Sequence, residues 1–395
     1  MAFAADFGLC QKSLVCVMER LNAMQSLCND SACYSDEFHL NEGVNHALND
    51  LIHGVFAQGA TDLYLMEGES PRVRLDGSLA HTDLPAVERE QLAAIWRACA
   101  VDPLIVRDCD ASYVLAGIGR LRVNLFHSLG RLAVAARPIR SEIPNFAALN
   151  LPSDLLRGWM QRRAGLVLVT GPTGSGKSTT LASCLEWVNL TQSRHVVTIE
   201  DPIEYLFQNQ QSYFSQREVR RDTEDFAVAL RAALRQSPDV IMVGEIRDSE
   251  TAAIALRAAE TGHLVISTLH SSGVVDTLER LSHILESHKS SIATSEMLSH
   301  QLIGVISQQL LPCLHGGLIP AFEYLQNEGA TRPWIAEQKH GEIADHVSRA
   351  ADPTSTMSFL HSLVFAVKQG LVDQEIARSA ANRPQDFDRA MRGIA

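Results

Sequence analysis

The second half of the chain alternates short apolar runs with stretches of helical periodicity. The apolar runs are nearly uninterrupted, and they are Leu166 to Val169, Val196 to Ile199, Val240 to Val243 and Leu264 to Thr268. Such runs predict parallel strands that are buried on both faces, because helices cover both sides of the sheet. From about Met297 onward the pattern favours a mostly helical tail. We therefore expect an α/β domain in this half.

The first half mixes shorter strands with helices. Helical periodicity covers Val44 to Phe56, and a second helix is expected to open at Pro85 and to carry Leu92, Ile95 and Trp96. The predicted strands are Thr61 to Met66, Arg72 to Leu75, Ser112 to Ala116, Leu121 to Phe126 and Leu132 to Ala136. Asp76-Gly77 follows the second strand and is a tight-turn signal. This pattern predicts a small α+β domain with a mixed sheet.

The length of 395 residues suits two domains rather than one. The stretch from Ser141 to Asp154 contains two prolines and two asparagines without clear periodicity, which is typical of an interdomain linker. Residues 1–42 hold four of the cysteines and a predicted short helix from Lys12 to Leu27, and they form an extension of unknown role. The predicted domains are therefore 43–140 and 155–395, joined by a linker at 141–154.

The charge balance argues against a nucleic-acid partner. The formal net charge is -12, from 46 acidic and 34 basic side chains, so the bulk field does not attract a polyphosphate backbone. The five lysines are far apart in the sequence and the arginines are scattered, so no local basic patch is evident.

The sequence also gives no sign of export or of a membrane span. Charged residues interrupt the apolar positions between Met1 and Leu27, and no later segment is long and uncharged enough to cross a bilayer. The eight cysteines include no C-x-x-C pair and read as reduced thiols. We expect a cytoplasmic protein that reaches a membrane only through a partner.

A complete P-loop pattern follows the first apolar run of the second half and precedes a predicted helix from Thr179 to Val188. Glycines let backbone N–H groups turn inward around phosphate oxygens, and the following helix N-terminus adds its dipole. Lys177 is expected to reach the β- and γ-phosphates, and Ser178 to ligate Mg²⁺. The predicted nucleotide-binding residues of this segment are Gly171, Pro172, Thr173, Gly174, Ser175, Gly176, Lys177, Ser178 and Thr179.

Three carboxylates cluster at the end of the next apolar run, where α/β sheets bind ligands. Glu204 is the candidate base that orients and activates the attacking water, with Glu200 and Asp201 supporting Mg²⁺ or the local network. An alternative carries equal weight at this point. These acids could simply stabilise a helix N-terminus through its dipole.

A third strand end carries Glu245, in a pattern similar to a Walker B strand with glutamate in place of the usual aspartate. This carboxylate could hold Mg²⁺, and the alternative is a surface loop acid. His263 and His270 bracket the following strand, and both are expected beside the same sheet edge. Lone histidines are more often core residues than catalysts, yet this position makes one of them a candidate sensor of the γ-phosphate.

Taken together, the P-loop, the two acidic strand ends and the histidine segment resemble the motifs of the secretion-type ATPases. Within that group they resemble the type IV pilus retraction branch. The resemblance runs from about Gly43 to Ser307. It implies a PAS-like N-terminal domain, a RecA-like P-loop NTPase domain and a ring of six subunits that hydrolyses Mg-ATP. It also implies that Arg122 and Arg137 of the N-terminal domain act on the phosphates, with Arg235 and Arg280 as weaker candidates at the ring interfaces. The alternative for all four is a solvated arginine on the protein surface.

The function that the resemblance implies is pilus retraction, the basis of twitching motility. Its expected partners are further copies of the chain in a homo-hexamer, a pilus platform protein in the inner membrane and a second pilus ATPase, with the ring at the inner face of that membrane. Two alternatives stay open, namely an ATPase of a type II or type IV secretion system and an accessory ring subunit that hydrolyses little ATP.

The resemblance is interrupted between Glu328 and Ile335. The retraction branch usually carries a helix similar to Ala-Ile-Arg-Asn-Leu-Ile-Arg at this place. Trp334 and Ile335 could contact a partner or could fill a local core.

Overall fold

The computed structural model describes residues 39–75, 78–115, 118–139, 142–286, 291–350 and 353–393. The chain forms two compact units, and the division falls after residue 140. The helix predicted from Lys12 to Leu27 and the turn predicted at Asp76-Gly77 lie outside the described residues.

Within its described residues, the first unit has a six-stranded sheet and two helices. Its elements are α1 (His39–Ala57), β1 (Asp62–Met66), β2 (Arg72–Leu75), β3 (Ser78–His81), α2 (Arg89–Ala98), β4 (Asp108–Leu115), β5 (Gly119–Ser128) and β6 (Arg131–Pro138). The strand order is β3-β2-β1-β6-β5-β4, and every neighbouring pair is antiparallel. The prediction of a mixed sheet was therefore wrong for this unit. Short connections between successive strands favour antiparallel pairing, since a parallel pair needs a long crossover.

Strand alternation sets the core of the first unit. Leu121, Val123 and Leu125 on β5 are fully buried, whereas Arg122 between them is exposed, as expected for a strand with one face in the core. Helix α2 begins at Arg89 rather than at Pro85, because the Gln91 side chain accepts the Glu88 backbone N–H at 2.7 Å and caps the helix there. Helix α1 begins at His39, inside the range assigned to the N-terminal extension.

The second unit is built on an eight-stranded sheet. Its first elements are α3 (Ser153–Met160), β7 (Gly165–Thr170), α4 (Lys177–Thr191), β8 (His195–Glu200), β9 (Tyr213–Glu218), α5 (Phe226–Ala233), β10 (Val240–Val243), α6 (Ser249–Glu260), β11 (Leu264–Leu269), α7 (Val274–Glu286) and α8 (Ser291–Gln301). They are followed by β12 (Leu302–Pro312), β13 (Leu318–Gln326), α9 (Thr331–Ala336), α10 (His340–Ser348), β14 (Thr356–Met357), α11 (Phe359–Lys368), α12 (Gln374–Ala380) and α13 (Pro384–Met391).

The strand order β14-β13-β12-β7-β11-β10-β8-β9 puts the apolar runs at the centre of the sheet. The six strands from β12 to β9 run parallel, and β13 and β14 add antiparallel pairs at one edge. Side chains of β7 alternate between two cores, with Leu166 and Leu168 on one face and Val167 and Val169 on the other. Burial on both faces explains why these strands read as continuous apolar runs.

The prediction of a mostly helical tail was wrong between residues 302 and 326. This stretch forms β12 and β13, which pair through nine residue positions. Helices predominate only from Thr331 onward. The apolar run of β12 pairs with β7 on its other side, and such a run alone does not distinguish a buried strand from a buried helix segment.

Two segments that looked irregular in the sequence pack into the second unit. Phe146 and Leu151, inside the predicted linker, are buried in the core around β7. Ile335 is buried in the core on the opposite face, and Trp334 packs against the same core and stands edge-on to His346, with ring centroids 5.7 Å apart. The structure thus favours the local-core interpretation of the Glu328 to Ile335 segment.

Candidate active site

The P-loop lies between the end of β7 and the start of α4. Gly171, Gly174 and Gly176 have φ angles of 142°, 78° and 87°, a region that residues with a Cβ rarely adopt. A Cβ at Gly171 would also lie 2.3 Å from the Gln308 carbonyl oxygen. Both the backbone conformation and the close approach of β12 therefore require glycine here.

Lys177 begins α4 and points back into the loop. Its Nζ donates hydrogen bonds to the carbonyl oxygens of Gly171 and Pro172, each at 2.9 Å. Burial lowers the pKa of Lys177, while the charges of Glu245 and Glu204 raise it. The ammonium group is thus held beside two carboxylates at the position from which a P-loop lysine reaches phosphate oxygens.

Gln308 on β12 braces the loop from behind. Its Nε2 donates to the Ser175 carbonyl oxygen at 2.6 Å, and its Oε1 accepts from the Thr180 hydroxyl at 2.9 Å. All of these groups are buried. The side chain of Gln308 therefore fixes the glycine-rich turn relative to the first turn of α4, a role that no sequence motif indicated.

Glu200 ends β8 and is buried in the wall of the cavity. Its Oε1 accepts hydrogen bonds from the Thr198 hydroxyl at 2.7 Å and from Gln216 Nε2 at 3.2 Å, and its Oε2 accepts from the Glu204 backbone N–H at 3.4 Å. Burial raises the pKa of Glu200 to about 7 against these hydrogen bonds. This carboxyl group is placed to hold the Glu204 turn in position.

Asp201 and Glu204 follow Glu200, and all three line the same cavity. An Asp201 carboxylate oxygen lies 3.8 Å from the Arg220 guanidinium. The Thr179 and Tyr205 hydroxyl groups are 3.0 Å apart and connect the first turn of α4 to this segment. None of the three acids belongs to a helix, so the interpretation as helix N-terminal acids does not hold.

Glu245 follows β10 and lies across the cavity from the P-loop. One carboxylate oxygen lies 2.7 Å from Arg247 Nε, and the other lies 3.4 Å from His270 Nε2. The neighbouring Ile246 N–H donates to the Thr268 carbonyl oxygen at 3.1 Å and ties this turn to the end of β11. Glu245 is therefore held in the site rather than on a free surface loop.

The two histidines lie at opposite ends of β11, so the prediction that both lie beside one sheet edge was wrong. The parallel register pairs Leu264 with Gly165 and Leu269 with Thr170. His270 consequently lies beside the P-loop, whereas His263 precedes the strand at its other end, about 20 Å away for a six-residue strand. His263 Nδ1 contacts the Ala258 carbonyl oxygen at 2.9 Å, and His263 does not line the cavity.

Arg122 and Arg137 belong to the first unit, where they are direct cross-strand partners on β5 and β6. Arg137 Nε donates to Asp62 Oδ1 at 2.9 Å, and although burial opposes the change, this hydrogen bond lowers the pKa of Asp62. Both arginine side chains are exposed, at 44% and 66%. Their action on a nucleotide remains a prediction. Arg235 and Arg280 are exposed residues of the second unit, and neither lines the cavity.

The cavity between these elements has a volume of about 260 Å³. Its lining includes Thr173, Gly174, Lys177, Ser178, Glu200, Asp201, Glu204, Tyr205, Phe207, Phe226, Glu245, Arg247, Thr268 and His270. Arg247 and the aromatic side chains were not among the predicted site residues. Arg247 could have been found from its position two residues after Glu245. No sequence motif pointed to the aromatic residues.

The oxygen donors of this cavity fit Mg²⁺. The Ser178 hydroxyl and the carboxylates of Glu204 and Glu245 line it together, and hard oxygen atoms are the ligands that Mg²⁺ prefers. Among the described residues no cluster of three or more His, Cys, Asp or Glu side chains could hold a metal alone. Mg²⁺ sites of phosphate enzymes use one or two protein ligands together with the substrate phosphates.

Similarity to proteins of known activity extends over most of the chain. The family described as type II/IV secretion system protein matches residues 131–350. The type IV pilus retraction ATPase PilT of Pseudomonas aeruginosa is 38% identical over 335 residues, which cover 84% of this chain and 96% of PilT. The type IV pilus ATPase PilU of the same organism is 32% identical over 343 residues, covering 85% of this chain and 89% of PilU.

The fold is similar to that of a solved motor protein. A crystal structure of the pilus retraction motor PilT with bound ADP superposes with a TM-score of 0.79 and 40% identity, covering 87% of this chain and 99% of that one. Coverage this wide includes residues of both units. Within the described residues, no helix is long and apolar enough to cross a bilayer.

Proposed function

We propose that this chain, which belongs to the type II/IV secretion system protein family and is an ATPase of its pilus retraction branch, hydrolyses Mg-ATP to power type IV pilus retraction. One observation carries the proposal. The P-loop lysine, two carboxylates and a histidine from four separate chain segments meet at one end of a parallel sheet, in a chain that matches PilT over 84% of its own length.

Each side chain has a role that follows from its position. Lys177 binds the β- and γ-phosphates once it leaves the carbonyl oxygens of Gly171 and Pro172. Glu204 accepts the proton of the attacking water, and His270 detects the γ-phosphate through its contact with Glu245. Mg²⁺, when held by Ser178 and Glu245, supplies neutralisation of the phosphate charge.

The finer architecture is part of the same proposal. The first unit is a PAS-like domain, the second a RecA-like domain, and six chains form a ring. Arg122 and Arg137 neutralise charge that develops on the phosphates, and their exposure and adjacent register support this role. The ring acts in the cytoplasm at the inner membrane, on a pilus platform protein, and the match to PilU supports a second pilus ATPase as a partner.

The P-loop assignment is tested by Lys177→Ala. We expect this variant to lose ATP hydrolysis and to bind Mg-ATP more weakly, because the principal positive charge on the phosphates is gone. Lys339→Ala is the matched control, since Lys339 is exposed and pairs with Glu337 away from the cavity. Near-normal turnover in Lys177→Ala would refute the ATPase site.

The direction of work is tested in cells. Deletion of the gene should abolish twitching motility and leave surface pili in place, because assembled pili are no longer withdrawn. Loss of protein secretion with normal twitching would instead favour the secretion ATPase that the family also contains. A purified ring that binds ATP without turnover would favour an accessory subunit.

A further inference from the structure

Glu323 is a partly buried carboxylate on β13 that the proposed reaction does not use. One carboxylate oxygen accepts the backbone N–H of Val274, the first residue of α7, at 2.7 Å. The same carboxyl group lines a cavity together with Phe359, the first residue of α11. Burial raises the pKa of Glu323, and the backbone N–H groups of Val274 and Phe359 oppose that rise. One side chain thus lies at the first residues of two helices that are far apart in the sequence.

Hydrogen bonds connect the first of these helices to the loop that carries His270. His270, which contacts Glu245 at 3.4 Å, lies four residues before Val274. The buried Thr277 hydroxyl lies 2.7 Å from the Ser271 hydroxyl and 3.1 Å from the Thr170 hydroxyl, at the end of the strand that leads into the P-loop. These contacts join the loop after His270 and the end of β7 to the first turn of α7.

Gly273, in the loop after His270, packs closely against Glu323. A Cβ at Gly273 would lie 2.9 Å from the nearer Glu323 carboxylate oxygen. Any side chain at that position would displace the carboxylate, so the loop after His270 is in contact with Glu323 as well as hydrogen-bonded to it through Val274.

The second helix belongs to a separate hydrophobic core of the second unit. Helix α11 packs with α12 and α13 on the ends of β12 and β13, around the buried residues Leu311, Leu363, Ala377 and Phe387. A second link fixes α11 to the sheet independently of the nucleotide loop, since the Phe322 backbone N–H donates to the Ser362 hydroxyl at 2.9 Å. We call α11, α12 and α13 the C-terminal helical bundle.

We propose that Glu323 is a positioning residue that couples the His270 loop to the C-terminal helical bundle, so that occupation of the phosphate site alters the bundle. The proposal rests on the proposed ATPase function and deepens it. It assigns a route from the γ-phosphate sensor to helices that can act on a partner, built from hydrogen bonds within the second unit.

The test is hydrogen exchange of the full-length protein, measured by mass spectrometry with and without a non-hydrolysable Mg-ATP analogue. In the wild type we expect nucleotide to change exchange of α11 amides by about 5–150-fold, the usual range of allosteric coupling. In Glu323→Gln we expect that change to fall below about twofold, while nucleotide still protects the P-loop and α4. Glutamine keeps one acceptor oxygen but turns an N–H toward the second helix N-terminus.

Steady-state kinetics give a second readout. Glu323→Gln should lower kcat by about tenfold with KM for ATP unchanged, because a displaced His270 affects the transition state rather than nucleotide binding. Ser362→Ala is the matched control, since it loosens α11 from β13 without touching the His270 loop. It should keep the nucleotide response of α11 even if the melting temperature falls.

Four results would overturn the inference. An undiminished response of α11 in Glu323→Gln would show that coupling takes another route. An equal loss of response in Ser362→Ala would show that Glu323 only anchors the helix. A wild-type bundle that ignores nucleotide, while the P-loop is protected, would show that no coupling exists; no protection of the P-loop would overturn the ATPase proposal as well.

Discussion

Replacing Gln308 with alanine should remove the hydrogen bonds that hold the P-loop in its conformation, while every proposed nucleotide-binding residue stays unchanged. The side chain is 3% exposed and makes two hydrogen bonds, to the Ser175 carbonyl oxygen at 2.6 Å and from the Thr180 hydroxyl at 2.9 Å. Both partners are buried, so truncation leaves a buried carbonyl and a buried hydroxyl without this partner. Because each unsatisfied buried polar group costs about 1–3 kcal/mol, we expect the free energy of unfolding to fall by about 2–6 kcal/mol.

Part of this loss should appear in nucleotide binding, because the turn that Gln308 holds presents backbone N–H groups to the phosphates. A loss of about 1.4 kcal/mol in the bound state corresponds to roughly tenfold weaker binding of ADP. Urea unfolding at a fixed protein concentration measures the first quantity, and titration with a fluorescent ADP analogue measures the second. Gln309→Ala is the control, since Gln309 is the next residue on β12 and lies on the other face of the strand.

The outcome that would refute this reasoning is equality of the two variants. If Gln308→Ala matched Gln309→Ala in stability and in ADP affinity, the two hydrogen bonds would contribute nothing to the loop. A fall in stability with unchanged affinity would mean that the loop keeps its shape without the brace, and would restrict Gln308 to a structural role.

Four further predictions follow from the same geometry. Glu204→Gln should keep ATP affinity and lose about 10²–10⁴-fold in turnover, whereas Glu245→Gln should also require more Mg²⁺; identical Mg²⁺ titrations would contradict this division of roles. Arg137→Ala should lose about 10³–10⁵-fold in turnover if the arginine acts on the phosphates. Mixing this variant with Glu204→Gln should restore activity only if Arg137 acts across a subunit boundary. The raised pKa of Glu200 means that, at intermediate pH, the folded chain retains a proton that the unfolded chain releases. The stability that this proton gives is therefore lost as pH rises from 4.5 to about 7. Urea unfolding at both pH values should show a fall of about 3 kcal/mol in the unfolding free energy of the wild type, and Glu200→Gln should remove that fall. Ile335→Ala should lower unfolding free energy by about 2–5 kcal/mol, since the side chain is 4% exposed in the core, and an unchanged melting temperature would restore the partner-contact interpretation.

Local pattern was enough to predict the elements that carry the chemistry. The run from Val240 to Val243 forms a strand with the predicted limits, and the P-loop joins a strand to a helix as its motif requires. Buried parallel strands and glycine-rich turns are encoded by adjacent residues, because burial on both faces demands apolar side chains and a tight turn demands positive φ angles. The acids after β8 and β10 could be placed at one sheet edge for the same reason, since parallel strands share a carboxyl end.

Contacts between distant segments were decided only by the tertiary structure. The sequence could not show that Gln308, 133 residues after Ser175, braces the P-loop, nor that Glu323 lies at the first residues of both α7 and α11. The strand register likewise decided which histidine lies in the site. His263 and His270 flank one strand, and the pairing of Leu269 with Thr170 puts His270 beside the P-loop. His263 lies at the far edge of the sheet, because each residue of a strand advances the chain by about 3.3 Å.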